Sequence, residues 1–208
     1  MTAKFDPAKN HRRSIRLKGY DYSQSGAYFI TICTRQRENL FGQVQEGMMH
    51  PNRLGGIVQY AWQDLPRHYP HVTLDAFCLM PNHVHGIIVL VDDDAWRGGS
   101  GFENVGGGSE AEHISIFDHP NPQARPYNQT KTNKPTVRHA LPEIVRAFKS
   151  FSARRINAIQ RTRGNPVWQR NYYEHVIRDM DEYQRIVDYI QTNPMRWDTD
   201  IENPDTNR

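Results

Sequence analysis

Apolar runs about as long as a β-strand recur in the first half of the chain. Residues 27–34 are rich in aromatic and β-branched side chains and follow Gly26, which predicts a first, central strand. Residues 72–80 and 83–91 are apolar runs on either side of the turn sequence Pro81-Asn82. Because the connection is so short, these two runs predict neighbouring antiparallel strands.

Two other segments give weaker strand signals. Residues 41–49 predict a short hairpin arm. Residues 167–178 mix aromatic and basic side chains, and they predict a loop that leads into a fourth strand of the sheet.

Three segments repeat apolar residues at helical spacing. Residues 52–68 predict a first helix, which Pro66 and Pro70 end. Residues 136–160 have Pro142 near their start and one apolar face, with basic side chains elsewhere, which predicts a basic amphipathic helix. Residues 179–194 begin with acidic side chains and end at proline, as expected of a last helix.

The remaining segments lack a periodic pattern. Residues 1–20 predict a basic N-terminal arm, and residues 92–135, with two glycine clusters, predict a flexible loop insertion. Residues 195–208 are polar and acidic, so a frayed end is expected there, with 197–208 as a polar C-terminal tail. A length of 208 residues suits one domain, and we expect 1–208 to form a single domain with these appendages.

Charge changes this picture by pointing to a polyanionic partner. The net charge is only +3, but residues 1–20 carry six Lys or Arg against one Asp, and residues 136–178 carry nine against two Glu. The rest of the chain therefore has a net charge of −9. Two basic blocks on an acidic chain favour nucleic-acid binding, because phosphate neutralisation supplies much of that affinity. The alternative is a set of solvated basic faces balanced by acidic tails.

The composition also indicates the compartment. Cys33 and Cys78 lie within apolar runs without metal-binding spacing, so they resemble buried hydrophobic residues of a reducing compartment. The apolar runs are of strand length and the N-terminus is polar, which predicts no membrane segment and no signal peptide. We expect a cytoplasmic, nucleoid-associated protein.

Candidate chemistry begins with two histidines. In a strand over 83–91, His83 and His85 project to the same side, as two imidazole ligands of a divalent metal would. The spacing alone is weak evidence, since ten histidines give about 0.5 such pairs by chance. Two satisfied core histidines are the alternative.

A second candidate group lies on the last predicted helix. Tyr189 and Asn193 are four residues apart and share one helix face. Tyr183 is about 240° away from Tyr189 around the helix, so both tyrosines cannot face one site. Asn193 precedes proline, which biases it away from helical geometry. Tyr189 as a packing residue is the alternative, and Tyr172 and Tyr173 are rival nucleophiles.

Four motifs then occur in an order that resembles a known family, the single-tyrosine (Y1) HUH transposases, and most closely their REP-associated tyrosine transposase branch. The motifs are Met80-Pro81-Asn82-His83-Val84-His85-Gly86, Phe148-Lys149-Ser150 running to Arg154-Arg155-Ile156-Asn157, Val167-Trp168-Gln169 with Tyr173-Glu174-His175-Val176-Ile177-Arg178, and Val187-Asp188-Tyr189-Ile190 through Asn193-Pro194. The resemblance covers about residues 12–91 and 140–196, whereas the segment 92–135 is longer than the family pattern.

The resemblance implies an α+β fold with a ferredoxin-like core, in which helices pack on an antiparallel β-sheet and the C-terminal helix carries the nucleophile. It implies His83 and His85 as ligands of Mg²⁺ or Mn²⁺, with Asn193 as third ligand. Tyr189 would attack single-stranded DNA, leaving a 5′-phosphotyrosine link and a free 3′-hydroxyl that can rejoin strands. Hairpins of REP-like palindromes would be the substrate. The protein would be a monomer or homodimer, and Tyr189 would serve its own or a neighbour's site.

Basic and aromatic residues supply the predicted DNA contacts, since arginines suit phosphates and aromatic rings suit bases. They are Arg12, Arg13, Arg16, Lys18, Arg146, Lys149, Arg154, Arg155, Trp168, Arg170 and Arg178. Trp168 and its neighbours in an ordinary aromatic strand are the alternative.

Two other functions remain open from the sequence. One is a domesticated, non-cleaving binder of structured DNA or RNA, which would keep the basic surfaces. The other is a metal phosphodiesterase that uses water, which would leave Tyr189 without a role.

Overall fold

A computed structural model describes residues 17, 19–91 and 138–206 of the chain. The strands within these ranges are β1 (Gly26–Cys33), β2 (Gly42–Gln45), β3 (Met48–Pro51), β4 (Val72–Leu79), β5 (His83–Leu90) and β6 (Tyr173–Ile177). The helices are α1 (Arg53–Gln63), α2 (Leu65–His68), α3 (Leu141–Gln160) and α4 (Met180–Thr192).

Four strands form one antiparallel sheet in the order β4-β5-β1-β6, and β2 and β3 form a separate hairpin. The succession β1, α1, β4, β5, α3, β6 with this strand order is the βαββαβ arrangement of ferredoxin-like folds. The predicted α+β fold class, the ferredoxin-like core and the antiparallel sheet are confirmed. The hairpin predicted at 41–49 is also present.

The predicted helices are present with shifted bounds. The helix predicted over 52–68 is two helices, α1 and α2, because Pro66 lies in the first turn of α2. Asn52 caps α1, its side-chain oxygen accepting hydrogen bonds from the backbone N–H groups of Leu54 and Gly55. The helix α3 begins at Leu141 and has Pro142 in its first turn, as predicted.

The helices cover both faces of the sheet. Alternate side chains of β1 and β5, including Ile30, Ile32, Val84 and Ile88, pack against α1 and α3 in the larger core. The opposite side chains, including Phe29 and Ile87, pack with Ile190 of α4 in a smaller core. His83 and His85 lie on the same side of β5 as Ile87, so they face α4.

A glycine lets α1 lie close to the sheet. Gly86 is in the middle of β5, and a Cβ atom there would stand 2.5 Å from Trp62 Cζ2. The Trp62 ring of α1 therefore occupies the space that any larger residue would need.

The expectation of a frayed C-terminus is wrong for residues 195–206. A 3₁₀ helix runs from Pro194 to Thr199, and Asp200 and Asn203 beyond it are buried. Proline at the start suits this helix, and the Trp197 ring packs 6.1 Å from the His83 ring centroid. The Asn203 side chain also donates a 2.9 Å hydrogen bond to the Trp197 carbonyl. Packing and hydrogen bonds thus order a segment whose polar composition suggested disorder.

Both cysteines are buried, as the sequence predicted, and burial raises the pKa of each thiol to about 12. Arg12, Arg13, Arg16 and Lys18 of the basic arm and the loop insertion 92–135 lie outside the described residues. Within the described ranges, no helix is both long and apolar enough to span a membrane.

Candidate functional site

Two buried imidazoles lie side by side at the start of β5. His83 and His85 are 0% and 2% exposed, and their Nε2 atoms are 2.9 Å apart. The two ring centroids are separated by 4.5 Å. The strand alternation predicted from the sequence thus brings both rings to one point.

The neighbouring Asn82 fixes the tautomer of His83. Both protons of the Asn82 amide are used, because Nδ2 donates to the carbonyls of Arg37 (3.0 Å) and Glu202 (2.7 Å). Its Oδ1 therefore accepts a hydrogen bond from His83 Nδ1, 2.7 Å away. In the neutral ring, the lone pair of His83 is then on Nε2 and points into the site.

Thr31 on β1 supports His85 in the same way. Its hydroxyl lies 2.8 Å from His85 Nδ1 and is directly opposite in the strand register. Because a hydroxyl either donates or accepts, this contact suits both tautomers of His85. With Nδ1 protonated, both Nε2 lone pairs converge, which is an arrangement that a cation stabilises.

Burial keeps the histidines neutral. It lowers the pKa of His83 to about 4, against the opposing effect of the Asp200 carboxylate. It also lowers the pKa of His85 well below its usual value, and the neighbouring His83 adds to this effect. Neutral imidazoles are the form that binds a metal.

Tyr189 is the tyrosine at this site. Its Oη lies 3.3 Å from His85 Nε2, and its side chain remains 37% exposed. Edge-on contacts with His85 and Phe29 fix the ring, at centroid distances of 5.1 and 6.1 Å. Burial and the nearby Asp200 raise the pKa of Tyr189, whereas the Asn193 side chain lowers it. The resting phenol is therefore protonated and also reachable from solvent.

Two buried oxygens at the site have no hydrogen-bond partner within the described ranges. They are Asn193 Oδ1 and Asp200 Oδ2, and these residues are 2% and 8% exposed. His83, His85 and Asp200 bring their ligand atoms within 4.8 Å of one another. Unsatisfied buried oxygens beside two neutral imidazoles fit a divalent cation, since nitrogen and oxygen atoms of this kind are its usual ligands.

Asp200 was not predicted from the sequence. It belongs to the segment expected to fray, and proximity to the histidines depends on the tertiary fold. The signals that pointed to order there are Pro194 and Trp197, a helix-starting residue and a large apolar side chain in a polar segment.

Two of the predicted DNA contacts have structural roles instead. Trp168 is 6% exposed, packs on Phe41 and Phe148, and donates from Nε1 to Ser152 Oγ at 2.9 Å. Its assignment as a base-stacking residue is wrong, because its ring is in the core. Lys149 is half-buried, and its Nζ donates to the carbonyls of Gln169 (2.6 Å) and Arg170 (3.0 Å). It joins α3 to the segment before β6.

The other predicted arginines within the described ranges, Arg146, Arg154, Arg155, Arg170 and Arg178, are exposed. Arg154 lines a cleft of about 800 Å³ with Arg161 and Arg163, and no acidic residue lines this cleft. Arg146 and Arg170 line another cleft of about 580 Å³, nearer the start of α3. The Arg155 guanidinium lies 4.4 Å from the Phe151 ring centroid. These clefts are on the face of the sheet opposite to the histidines.

The rival tyrosines occupy different positions. Tyr172 packs against the larger core. Tyr173 is an exposed residue of β6, and its ring packs edge-on against Phe29 at a centroid distance of 6.1 Å. Tyr183 donates a short hydrogen bond to Asp75. His175, whose role the sequence left open, contacts Glu182 Oε1 through Nε2 at 2.7 Å and so joins β6 to α4.

Comparison with known proteins gives two relatives from Haemophilus influenzae. An "Uncharacterized protein" is 38% identical over 205 residues, covering 96% of this chain and 97% of its own length. A "Putative REP-associated tyrosine transposase" is 25% identical over 178 residues, covering 85% of this chain and 74% of its own length. No protein-family model matches the chain.

Among solved structures, the chain is similar to a REP-associated tyrosine transposase bound to a REP hairpin. The TM-score is 0.49 at 18% identity, over 87% of this chain and 73% of that one.

Proposed function

We propose that this chain belongs to the family of the REP-associated tyrosine transposases and that it cleaves and rejoins single-stranded DNA through Tyr189. One observation carries this proposal. A solvent-accessible phenol from α4 lies 3.3 Å from one of two buried, neutral imidazoles of β5, more than a hundred residues away in sequence.

The residues suit a transesterification. Tyr189 Oη attacks the phosphorus of the scissile bond, its proton is released, and the P–O3′ bond breaks to give a 5′-phosphotyrosine and a free 3′-hydroxyl. The 3′-hydroxyl then attacks the same phosphorus and releases the phenol, which joins strands without ATP. The exposed face of Tyr189 admits the DNA, while Phe29 and His85 hold the ring.

His83 and His85, with Asn193 as third ligand, would hold the divalent cation, Mg²⁺ or Mn²⁺. When bound, such a cation stabilises negative charge on the phosphate and favours ionisation of the phenol. Asn82 and Thr31 keep the imidazole rings oriented for this task.

The preferred substrate under this proposal is single-stranded DNA that contains a hairpin formed by a REP-like palindrome. The exposed arginines that line the two clefts beside α3 would contact its phosphates. The H. influenzae relative named for this activity and the hairpin-bound solved protein suggest the substrate class.

The decisive experiment is covalent capture of DNA. Wild-type protein with Mn²⁺ or Mg²⁺ and hairpin-bearing single-stranded DNA should form an SDS-resistant adduct, and Tyr189→Phe should abolish it because the variant lacks the attacking oxygen. Tyr173→Phe is the matched control, since Tyr173 is an exposed tyrosine of β6 and should leave the adduct unchanged.

An adduct that persists in Tyr189→Phe would overturn the assignment of the nucleophile. Salt-sensitive DNA binding without an adduct under varied metals and substrates would favour the non-cleaving binder instead.

A further inference from the structure

The segment after α4 folds back over the histidines. Asp200 follows the 3₁₀ helix Pro194–Thr199, and its Oδ2 lies 3.8 Å from His83 Nε2. Its other oxygen, Oδ1, accepts a 2.7 Å hydrogen bond from the Glu202 backbone N–H. One carboxylate oxygen is thus held by the backbone, and the other faces the site.

The oxygen that faces the site has no hydrogen-bond partner among the described residues, and the Asp200 side chain is only 3% exposed. Burying a carboxylate oxygen without a partner is costly, so such atoms are rare unless a ligand or ion completes them. His83 Nε2, at 3.8 Å, is beyond hydrogen-bond distance and does not supply that partner.

Three polar residues hold the segment in place. The Arg37 Nε atom lies 2.6 Å from Glu202 Oε2, in an ion pair between the turn after β1 and the C-terminal segment. Asn82 donates to the Arg37 and Glu202 carbonyls and accepts from His83, so one buried amide joins the turn, the segment and a histidine. We define the clasp as Arg37, Asn82 and Glu202.

The turn Arg35–Arg37, which carries the Arg37 side chain to Glu202, has an unusual backbone conformation. Gln36 and Arg37 have φ angles of 59° and 57°, in the left-handed region that non-glycine residues rarely adopt. Two successive residues in that region carry a conformational cost, which the surrounding contacts offset.

We propose that Asp200 is an anionic ligand of the divalent metal and that Arg37, acting through Glu202, is a positioning residue for it. The inference rests on the proposed function for the presence of a metal at this site. It adds a carboxylate, from outside the nucleophile helix, to the histidine pair and Asn193. Hard cations such as Mg²⁺ and Mn²⁺ favour such an oxygen ligand.

The first test measures metal binding without DNA. Titration calorimetry of the full chain with Mn²⁺ should show Asp200→Asn binding weaker by about tenfold or more, because the anionic ligand is lost. Asp198→Asn is the matched control, since Asp198 is an exposed residue of the 3₁₀ helix that directly precedes Asp200. An unchanged dissociation constant in Asp200→Asn would overturn the proposal.

Thermal unfolding separates a ligand role from a structural one. In EDTA, Asp200→Asn should unfold at the same temperature as wild type or higher, because the variant no longer buries an unpaired carboxylate. With saturating Mn²⁺ its melting temperature should rise less than that of wild type. A lower melting temperature in EDTA together with an equal metal-induced rise would show that Asp200 is structural and would overturn the ligand assignment.

The clasp is tested through the same binding constant. Arg37→Ala should weaken Mn²⁺ binding about 10-fold to 100-fold, the range seen when a residue that orients a ligand is removed. Arg35→Ala is the control, because Arg35 is exposed in the same turn. Arg37→Glu alone should also weaken Mn²⁺ binding, and combining it with Glu202→Arg should recover part of the affinity. If the double variant bound Mn²⁺ no more tightly than Arg37→Glu alone, the positioning role of Arg37 would be overturned.

These outcomes are independent of catalysis. Asp200-dependent metal binding without any DNA adduct would leave the ligand assignment intact and contradict the proposed function. Tyr189-dependent adduct formation with Asp200-independent metal binding would support the proposed function and contradict the ligand assignment.

Discussion

Asn82 shows how much of the site depends on one small side chain. Its amide oxygen orients His83, and its two amide protons hold the backbones at Arg37 and Glu202. The residue is fully buried, so each of these hydrogen bonds is made without competition from water. The sequence placed Asn82 in a turn beside the histidines, but only the fold shows that it joins three separate segments.

Lys149 leads to a prediction at the same scale. Burial lowers its pKa to about 8 from the usual 10.5, so between these values the unfolded chain binds more protons than the folded chain. Stability attributable to this group therefore rises as the pH increases from about 8 to about 10.5. In Lys149→Met this rise should be absent, as measured by urea unfolding across that pH range.

Arg146→Met is the matched control, because Arg146 is exposed on the same helix and has no comparable burial. It should keep the pH dependence of wild type. If Lys149→Met also kept the rise in stability with pH, the Lys149 ammonium group would not be the group that causes it.

At the scale of elements, the position of the site is set by strand alternation and by helix packing on both faces. Successive side chains of β5 point to opposite faces of the sheet. One set faces α1 and α3, and the alternate set, which includes both histidines, faces α4. The alternation was legible in the sequence, so the placement of both histidines on one face was predictable.

Gly86 and Gly56 give a paired prediction about this packing. Gly86→Ala should destabilise the protein by about 1–3 kcal/mol, because the new Cβ would overlap the Trp62 ring at 2.5 Å. Gly56→Ala should stabilise it by about 0.5–1 kcal/mol, because Gly56 is a helical residue of α1 with open space around its Cβ position. Chemical denaturation of both variants measures the difference.

A neutral Gly86→Ala would mean that Trp62 shifts without cost. In that event the tight contact between α1 and β5 would not determine the distance of the helix from the sheet.

What the sequence did not reveal at this scale depends on tertiary contacts. Trp168 has the same aromatic and basic neighbours whether it stacks on bases or packs in a core, and only its contacts with Phe41 and Phe148 distinguish the two. Asp200 approaches His83 because Trp197 and the clasp order a polar segment. Such tertiary contacts leave no periodic pattern in the sequence, whereas strands and helices do.

At the scale of the whole molecule, the proposed catalytic residues and the arginine-lined clefts lie on opposite faces of the sheet. The His83, His85 and Tyr189 group faces α4, whereas the arginine clefts flank α3. A DNA molecule that contacts both has to pass around an edge of the sheet. Binding and cleavage should therefore be separable by mutation.

The last prediction tests that separation. Arg154→Ala should weaken binding of hairpin DNA and reduce the slope of log affinity against log salt concentration by about 1, because one phosphate contact is lost. At saturating DNA it should leave the rate of adduct formation unchanged. Fluorescence anisotropy across salt concentrations and single-turnover adduct formation give the two quantities.

Arg67→Ala serves as the control, since Arg67 is an exposed arginine of α2 beside Asp64 and outside these clefts. It should retain the wild-type salt slope. An equal loss of slope in both variants would point to non-specific charge rather than to the cleft.

The two halves of the site also differ in local stability. The histidines belong to an interior strand that is hydrogen-bonded on both sides, whereas α4 fully buries only Ile190 among its described side chains. Opening of α4 alone should therefore require less free energy than opening of β5. The phenol can then leave the histidines by a partial unfolding that spares the sheet, so the proposed nucleophile and the proposed metal ligands belong to parts of the fold that can separate.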